Sequence, residues 1–143
     1  MKYTILLSLS LTLLLFAGCG ENVGLSGKVF FSDDKSPVPL GTVGLVAESG
    51  THIARGDIKP DGTFVIGSLK VDDGLPPGKY RVSVSAMQQI SADEETGGGI
   101  YESLIALKHG NPDTSGITID ITSTTRNFDI EVERYVPPQT GRR

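Results

Sequence analysis

The chain has 143 residues, a formal net charge of −4 and a single cysteine. That length holds one ordinary domain with a leader and a tail, and leaves no room for two. An acidic balance without a basic patch argues against a nucleic-acid partner, and one cysteine excludes an internal disulfide.

Met1, Lys2 and Tyr3 make a short positive start. Residues 5–16 then run almost unbroken in Leu, Ile and Ser before Ala17, Gly18 and Cys19. A charged start, an apolar middle and small residues at the cut are the layout of a secretory signal. As a helix the apolar run would be about 18 Å long against roughly 30 Å of hydrocarbon, too short to span a bilayer. The sequence Leu15-Phe16-Ala17-Gly18-Cys19 resembles the bacterial lipobox, departing from it at Phe16, where Leu is usual. The resemblance implies that residues 1–18 are removed and that Cys19 carries a diacylglycerol and, on its new amino terminus, a further acyl chain such as palmitate. Losing Lys2 with the leader makes the remainder more acidic still. Residues 19–24 are then the lipidated cysteine and a short polar tether.

From residue 25 onward the pattern is period-two alternation with no sustained helical stripe, which predicts an all-β domain over 25–134. The first strand covers residues 25–31 with Leu25, Val29 and Phe31 on one face; Gly27 in the same row implies close backbone approach or a bulge. The turn formers Ser32-Asp33-Asp34-Lys35-Ser36-Pro37 end it. Residues 42–47 make a second strand with Val43, Leu45 and Ala47 aligned, and residues 52–58 a third. Lys59-Pro60-Asp61-Gly62 is a tight-turn signal that predicts a hairpin to a fourth strand at 63–66, with Phe64 and Ile66 inward.

After a rigid polar loop through Asp72-Asp73-Gly74 and Pro76-Pro77-Gly78, Tyr80, Val82, Val84 and Ala86 alternate with Lys79, Arg81, Ser83 and Ser85 in a half-buried fifth strand. Tyr80 is expected to bury its ring while its hydroxyl reaches a loop backbone. Residues 117–121 and 128–132 alternate in the same way, and Ser123-Thr124-Thr125 between them favours a closing hairpin. Residues 88–116 form a long insert whose stretch 100–109 reads as a short helix or an extra edge strand; inserts of this length are often functional. Residues 135–143 read as a disordered tail. Seven short strands with turns between them predict a Greek-key β-sandwich.

Four runs carry a family likeness: Leu25-Ser26-Gly27-Lys28-Val29, Pro39-Leu40-Gly41-Thr42-Val43, Asp61-Gly62-Thr63-Phe64 and Pro77-Gly78-Lys79-Tyr80-Arg81-Val82. In that order they resemble the carboxypeptidase-regulatory-like, or transthyretin-like, domain. Asn111-Pro112-Asp113-Thr114-Ser115-Gly116-Ile117 is similar to a stretch found late in small bacterial lipoproteins of this type. The resemblance implies a seven-stranded, prealbumin-like sandwich, usually without an active site. Transthyretin relatives include a purine-degradation hydrolase with a Tyr-Arg-Gly-Ser terminus. This sequence ends Gln139-Thr140-Gly141-Arg142-Arg143, so that activity is not carried over.

Chemistry-bearing motifs are sparse. His52 and His109 are the two imidazoles, too few for a zinc site of the His-Glu-x-x-His kind. A Ser-His-acid arrangement would need His109 beside Ser103 or Ser115. Asp33-Asp34, Asp72-Asp73 and Asp93-Glu94-Glu95 put hard oxygen ligands in loops, none at EF-hand spacing, and are read as solvated acidic loops. Arg55-Gly56-Asp57 spells an adhesion tripeptide but falls inside a predicted strand. No catalytic residue, metal or cofactor is therefore expected, and Cys19 is the one site residue, for lipidation.

The expectation is a lipid-anchored lipoprotein of the bacterial cell envelope, on the periplasmic side of the outer membrane or the cell surface. Gly20, rather than Asp, after Cys19 favours the outer membrane. Its sandwich would be a non-catalytic binding or scaffolding module meeting a protein or glycan through residues 88–116. The alternatives are a transthyretin-like small-molecule hydrolase, which needs His52, His109 and a cation in one pocket, and a purely structural spacer.

Overall fold

The computed structural model describes residues 22–70, 72–92 and 97–138. The expected leader at 1–18, Cys19, the acidic run Asp93-Glu94-Glu95 and residues 139–143 lie outside the described residues. The strands in chain order are β1 (Leu25–Phe31), β2 (Gly41–Ala47), β3 (Ile53–Ile58), β4 (Thr63–Ile66), β5 (Gly78–Ser85), β6 (Met87–Ala92), β7 (Gly99–Ser103), β8 (Ile117–Ile121) and β9 (Ile130–Val132). One turn of 3-10 helix, Leu107–Gly110, lies between β7 and β8. Among the described residues no helix is long and apolar enough to cross a membrane.

β3, β2, β5 and β8 form an antiparallel sheet in that order. β4, β1 and β9 form a second sheet, antiparallel between β4 and β1 and parallel between β1 and β9. The inner faces of both sheets supply one continuous apolar core, so the domain is a nearly all-β sandwich. Its inner rows are those that alternation predicts: Leu25, Val29 and Phe31 on β1, Val43 and Leu45 on β2, Phe64 and Ile66 on β4, and Tyr80, Val82 and Val84 on β5. Each such side chain contributes about 1.5–3 kcal/mol when fully removed from water. The Tyr80 hydroxyl donates to the Pro76 carbonyl at 2.8 Å, which places a phenol in the core without an unpaired donor.

The strand registers define two ends. The 48–52 turn, the 67–77 loop and the β8–β9 connection gather at the end where β1 begins, called lower here. The 32–40 loop, the 59–62 turn, the β6–β7 hairpin and residues 133–135 gather at the upper end.

The structure corrects four sequence expectations. The tether does not run free to residue 24: Val23 is buried and exchanges both backbone hydrogen bonds with Leu75, at 2.7 and 2.9 Å, because its apolar side chain extends the β1 inner row into the core. The 59–62 turn forms, with Gly62 at φ +83° and its N–H on the Lys59 carbonyl, but it joins strands of different sheets. β3 and β4 touch again through paired Arg55–Gly67 bonds, while the β4 ladder is made with β1.

The closing hairpin at 123–125 is absent as well. The Thr122 N–H bonds the Thr125 hydroxyl and the Thr125 N–H the Thr122 carbonyl, a local turn that throws the chain across to the other sheet, where β9 lies parallel to β1. Finally, the 100–109 stretch begins in an extra strand, β7, that edges neither main sheet, and ends in the single 3-10 turn Leu107–Gly110. β7 pairs with β6 alone, with a register shift between Gln89 and Ser91.

The crossing strand explains Gly27. A Cβ at this position would lie 2.0 Å from the Phe128 carbonyl oxygen and 2.9 Å from the Phe64 ring, so the backbone of residues 126–129 passes where any side chain would stand. Gly27→Ala is therefore expected to overpack the seam and lower stability by about 2–3 kcal/mol. Urea denaturation with an unchanged m-value checks this; a midpoint equal to that of the parent chain contradicts it.

Candidate functional site

The β6–β7 hairpin is the part of the described chain least explained by packing. All six residues of β6 are exposed, as are the first four of β7. Among them Met87, Ile90, Ile100 and Tyr101 are large apolar side chains between 46% and 61% exposed. Strand alternation puts Ile100 and Tyr101 on opposite faces, so neither face is simply a polar outer surface. Two isolated strands are marginal in water, and apolar side chains left in solvent give them little support. The hairpin is tied to the sandwich at its root, where Leu104 N–H bonds the Ala86 carbonyl and Ser103 Oγ–H the Ile105 carbonyl at 2.7 Å.

Beside that root the C-terminal strand is clamped. The Arg134 guanidinium lies 3.6 Å above the Phe31 ring centroid and bonds Asp33 at 2.7 Å, Asp34 at 2.8 Å and the Ser36 hydroxyl at 2.9 Å. Stacking on the ring fixes the fork so that it meets both carboxylates of the β1–β2 loop. The Ser36 hydroxyl and N–H, then Arg134, hold the Asp34 carboxyl down from 3.8 to about 2. Tyr135, at the start of the expected tail, donates its N–H to the Leu104 carbonyl at 3.1 Å.

His109 is also in this region but is a packing residue. It is 5% exposed, and its Nε2 accepts the Glu133 N–H at 3.2 Å, which puts the ring proton on Nδ1, a buried atom with no partner. Burial, and then the Lys108 charge, lower its pKa from 6.5, while Glu133 opposes the shift. The hydroxyls that a Ser-His-acid arrangement would need are used elsewhere: Ser115 donates to the Val82 carbonyl, and Ser103 to Ile105.

His52 lies at the other end, exposed, with Nδ1 2.9 Å from the Thr51 hydroxyl. The shallow hollow it lines with Glu48, Pro76, Lys79 and Tyr80 does not include His109. The two imidazoles that a hydrolase would need together are thus at opposite ends of the sandwich.

An open groove of about 630 Å³ runs beside β3 and β4 and is lined by Arg55, Asp57, Lys59, Val65, Leu69 and Lys70 among others. Arg55-Gly56-Asp57 sits within β3, as its sequence context predicts, with both charged residues exposed. At the lower end of this groove Asp73 closes the 67–74 loop by accepting the N–H groups of Ser68, Leu69 and Lys70. Those three bonds lower its pKa. Asp33-Asp34 and Asp73 therefore spend their oxygens on Arg134, Ser36 and loop amides. Among the described residues no three His, Cys, Asp or Glu side chains come together as a metal-binding group.

Sequence reasoning located the insert but not Arg134, Val23 or Leu69. A single Leu between Ser68 and Lys70 in a polar loop was the one available signal for the last.

No family model matches the chain, and no curated protein matches it. Among solved structures it is similar to the major pilin subunit of Bacillus cereus, at 14% identity and a TM-score of 0.47 over 79% of this chain and 30% of that one. It is also similar to a 9R-lipoxygenase from Cyanothece, at 14% identity and a TM-score of 0.43 over 84% of this chain and 18% of the other. The chain thus spans less than a third of either protein, and neither likeness is close enough to carry a conclusion about type or function. The all-β assignment rests on the strand ladders themselves.

Two pH effects follow. A neutral His109 is favoured on folding, so its contribution is full above pH 6.5 and declines as pH falls through 6.5, where the unfolded chain takes up the proton first. Asp34, with its pKa depressed, contributes above pH 3.8 and loses that contribution as pH falls toward 2. Denaturation midpoints should fall from pH 7 to 5.5 in the parent chain and less so in His109→Gln, and the further fall below pH 4 should be shallower in Asp34→Asn. Parallel curves for all three proteins would contradict both assignments.

Proposed function

We propose that this chain is a lipid-anchored envelope lipoprotein whose sandwich carries the β6–β7 hairpin as the contact for a protein partner. The observation that carries the binding half is the hairpin itself, with Met87, Ile90, Ile100 and Tyr101 in solvent on a strand pair that packs against neither sheet. Exposed apolar side chains grouped on one projection favour a protein over a glycan, because a protein surface can remove them from water. The anchoring half is supported by the run Leu15-Phe16-Ala17-Gly18-Cys19 after a short apolar leader. Two or three acyl chains contribute about 0.8 kcal/mol per buried methylene, enough for stable attachment. Gly20 after Cys19 favours the outer membrane, on its periplasmic side or the cell surface.

The domain is assigned to the carboxypeptidase-regulatory-like, prealbumin-like Greek-key type. What supports this is the path of the first four strands. β2 and β3 form a hairpin, β4 follows beside β3 through the Arg55–Gly67 pair, and β1 lies next to β4 after a long connection to β2. That spatial order, 2-3-4-1 across the two sheets, is the one expected of a Greek key read from its closing strand. A catalytic role for the same domain has less support, since His52 and His109 do not share a pocket.

Mass spectrometry of the mature chain should show residues 1–18 absent and acyl mass on Cys19. Cys19→Ala should lose both the acyl mass and membrane fractionation; an unacylated parent chain in the aqueous fraction would refute the anchor. A photo-crosslinking amino acid at Tyr101 should give one discrete adduct in intact cells, abolished by Ile100→Asp, with the folding midpoint unchanged. Absence of any adduct from the hairpin would leave the domain a structural spacer.

A further inference from the structure

We infer that the lower end of the sandwich rests on the lipid surface, with Leu69 at the tip of the 67–74 loop entering the headgroup region beside the anchored N-terminus. This rests on the lipid anchor proposed above and adds a second, non-covalent membrane contact that fixes the orientation of the domain.

Val23 is locked to Leu75 by two backbone hydrogen bonds, and the Asn22 side chain donates to the Asp73 carbonyl at 3.2 Å. Four residue steps separate Val23 from Cys19, and even fully extended they reach only about 14 Å. An acylated Cys19 therefore keeps the end of the domain that carries Val23 close to the bilayer. β5 is eight residues long, so the sandwich measures about 26 Å from this end to the hairpin end. The root of the β6–β7 hairpin is then on the far side from the anchor.

Leu69 is 93% exposed, the most exposed large apolar side chain of the described residues, and it belongs to the same loop that holds Val23 and Asn22. Residues 68–70 are held in place: the Asp73 carboxylate accepts from their three consecutive amides, and the Ser68 hydroxyl bonds the Ile53 carbonyl at 3.3 Å. Ile53, next to it, is itself 62% exposed. Lys70 follows Leu69 in sequence, and both line the groove beside β3 and β4. An apolar tip with a neighbouring cation, fixed next to the attachment point, matches the layering of a bilayer interface, acyl region beyond phosphates.

The chain contains no tryptophan, so one indole reports on one place. The full chain bearing Leu69→Trp is purified in acylated form. It is then reconstituted into phosphatidylethanolamine–phosphatidylglycerol vesicles with and without brominated acyl chains. Blue-shifted emission quenched at least twofold by the brominated lipid is expected at position 69, with little quenching from Tyr101→Trp in the hairpin. Equal quenching at both positions, or none at 69 in a sample whose mass shows acylated Cys19, overturns the orientation and leaves the anchor standing. A concentration-dependent blue shift without lipid quenching assigns Leu69 to a second copy and also overturns it. A sample lacking the acyl mass overturns anchor and orientation together.

Discussion

A three-stranded sheet has a single central strand, and here it is β1, hydrogen-bonded on one edge to β4 and on the other to the parallel β9. The last strand of the domain thus closes on the first, which no tight turn can arrange for a parallel pair. The closing backbone passes over Gly27 at a distance that admits only a hydrogen, with Phe128 N–H on the Ser26 carbonyl and Lys28 N–H on the Asp129 side chain. Without this seam the inner face of the smaller sheet would lose one wall, and Val29, Phe64 and Ile130 their enclosure.

Both ends of the molecule are organised from the same seam. At the upper end, β9 runs into Arg134, which reaches back over Phe31 to the loop that β1 has just entered. The surface ion pairs themselves are worth little, but they act together with a ring stack and a shared hydroxyl, which fixes the root from which the hairpin projects. At the lower end Val23, two residues before β1, pairs with Leu75 and so holds the base of the loop that carries Leu69. A domain without a disulfide is held at its extremities by noncovalent contacts, and those at the lower end bring Val23 and the loop that carries Leu69 to one place.

Such a fold is dominated by pairings between distant parts of the chain, since β1 meets β4 and β9, and β5 meets β2 and β8. Non-local ladders form slowly because loop closure precedes their reward. The β2–β3 and β6–β7 hairpins are the local pairs, and β6–β7, which joins no other ladder, can open without disturbing the core.

The faces of the strands were legible from alternation alone, down to Phe64, Tyr80 and the close approach at Gly27, because side-chain direction in an extended chain has a period of two and burial follows it. Turn residues were equally legible at 59–62, where Pro60 and Gly62 constrain the backbone locally. Strand partnership was not: the Thr-rich turn at 122–125 reads the same whether it returns the chain into one sheet or carries it to the other. That choice belongs to the packing of both sheets. The same holds for Val23, Leu69 and Arg134, since composition marks a residue as apolar or charged, while only the tertiary arrangement decides whether it is enclosed, left in solvent or given a ring to rest on.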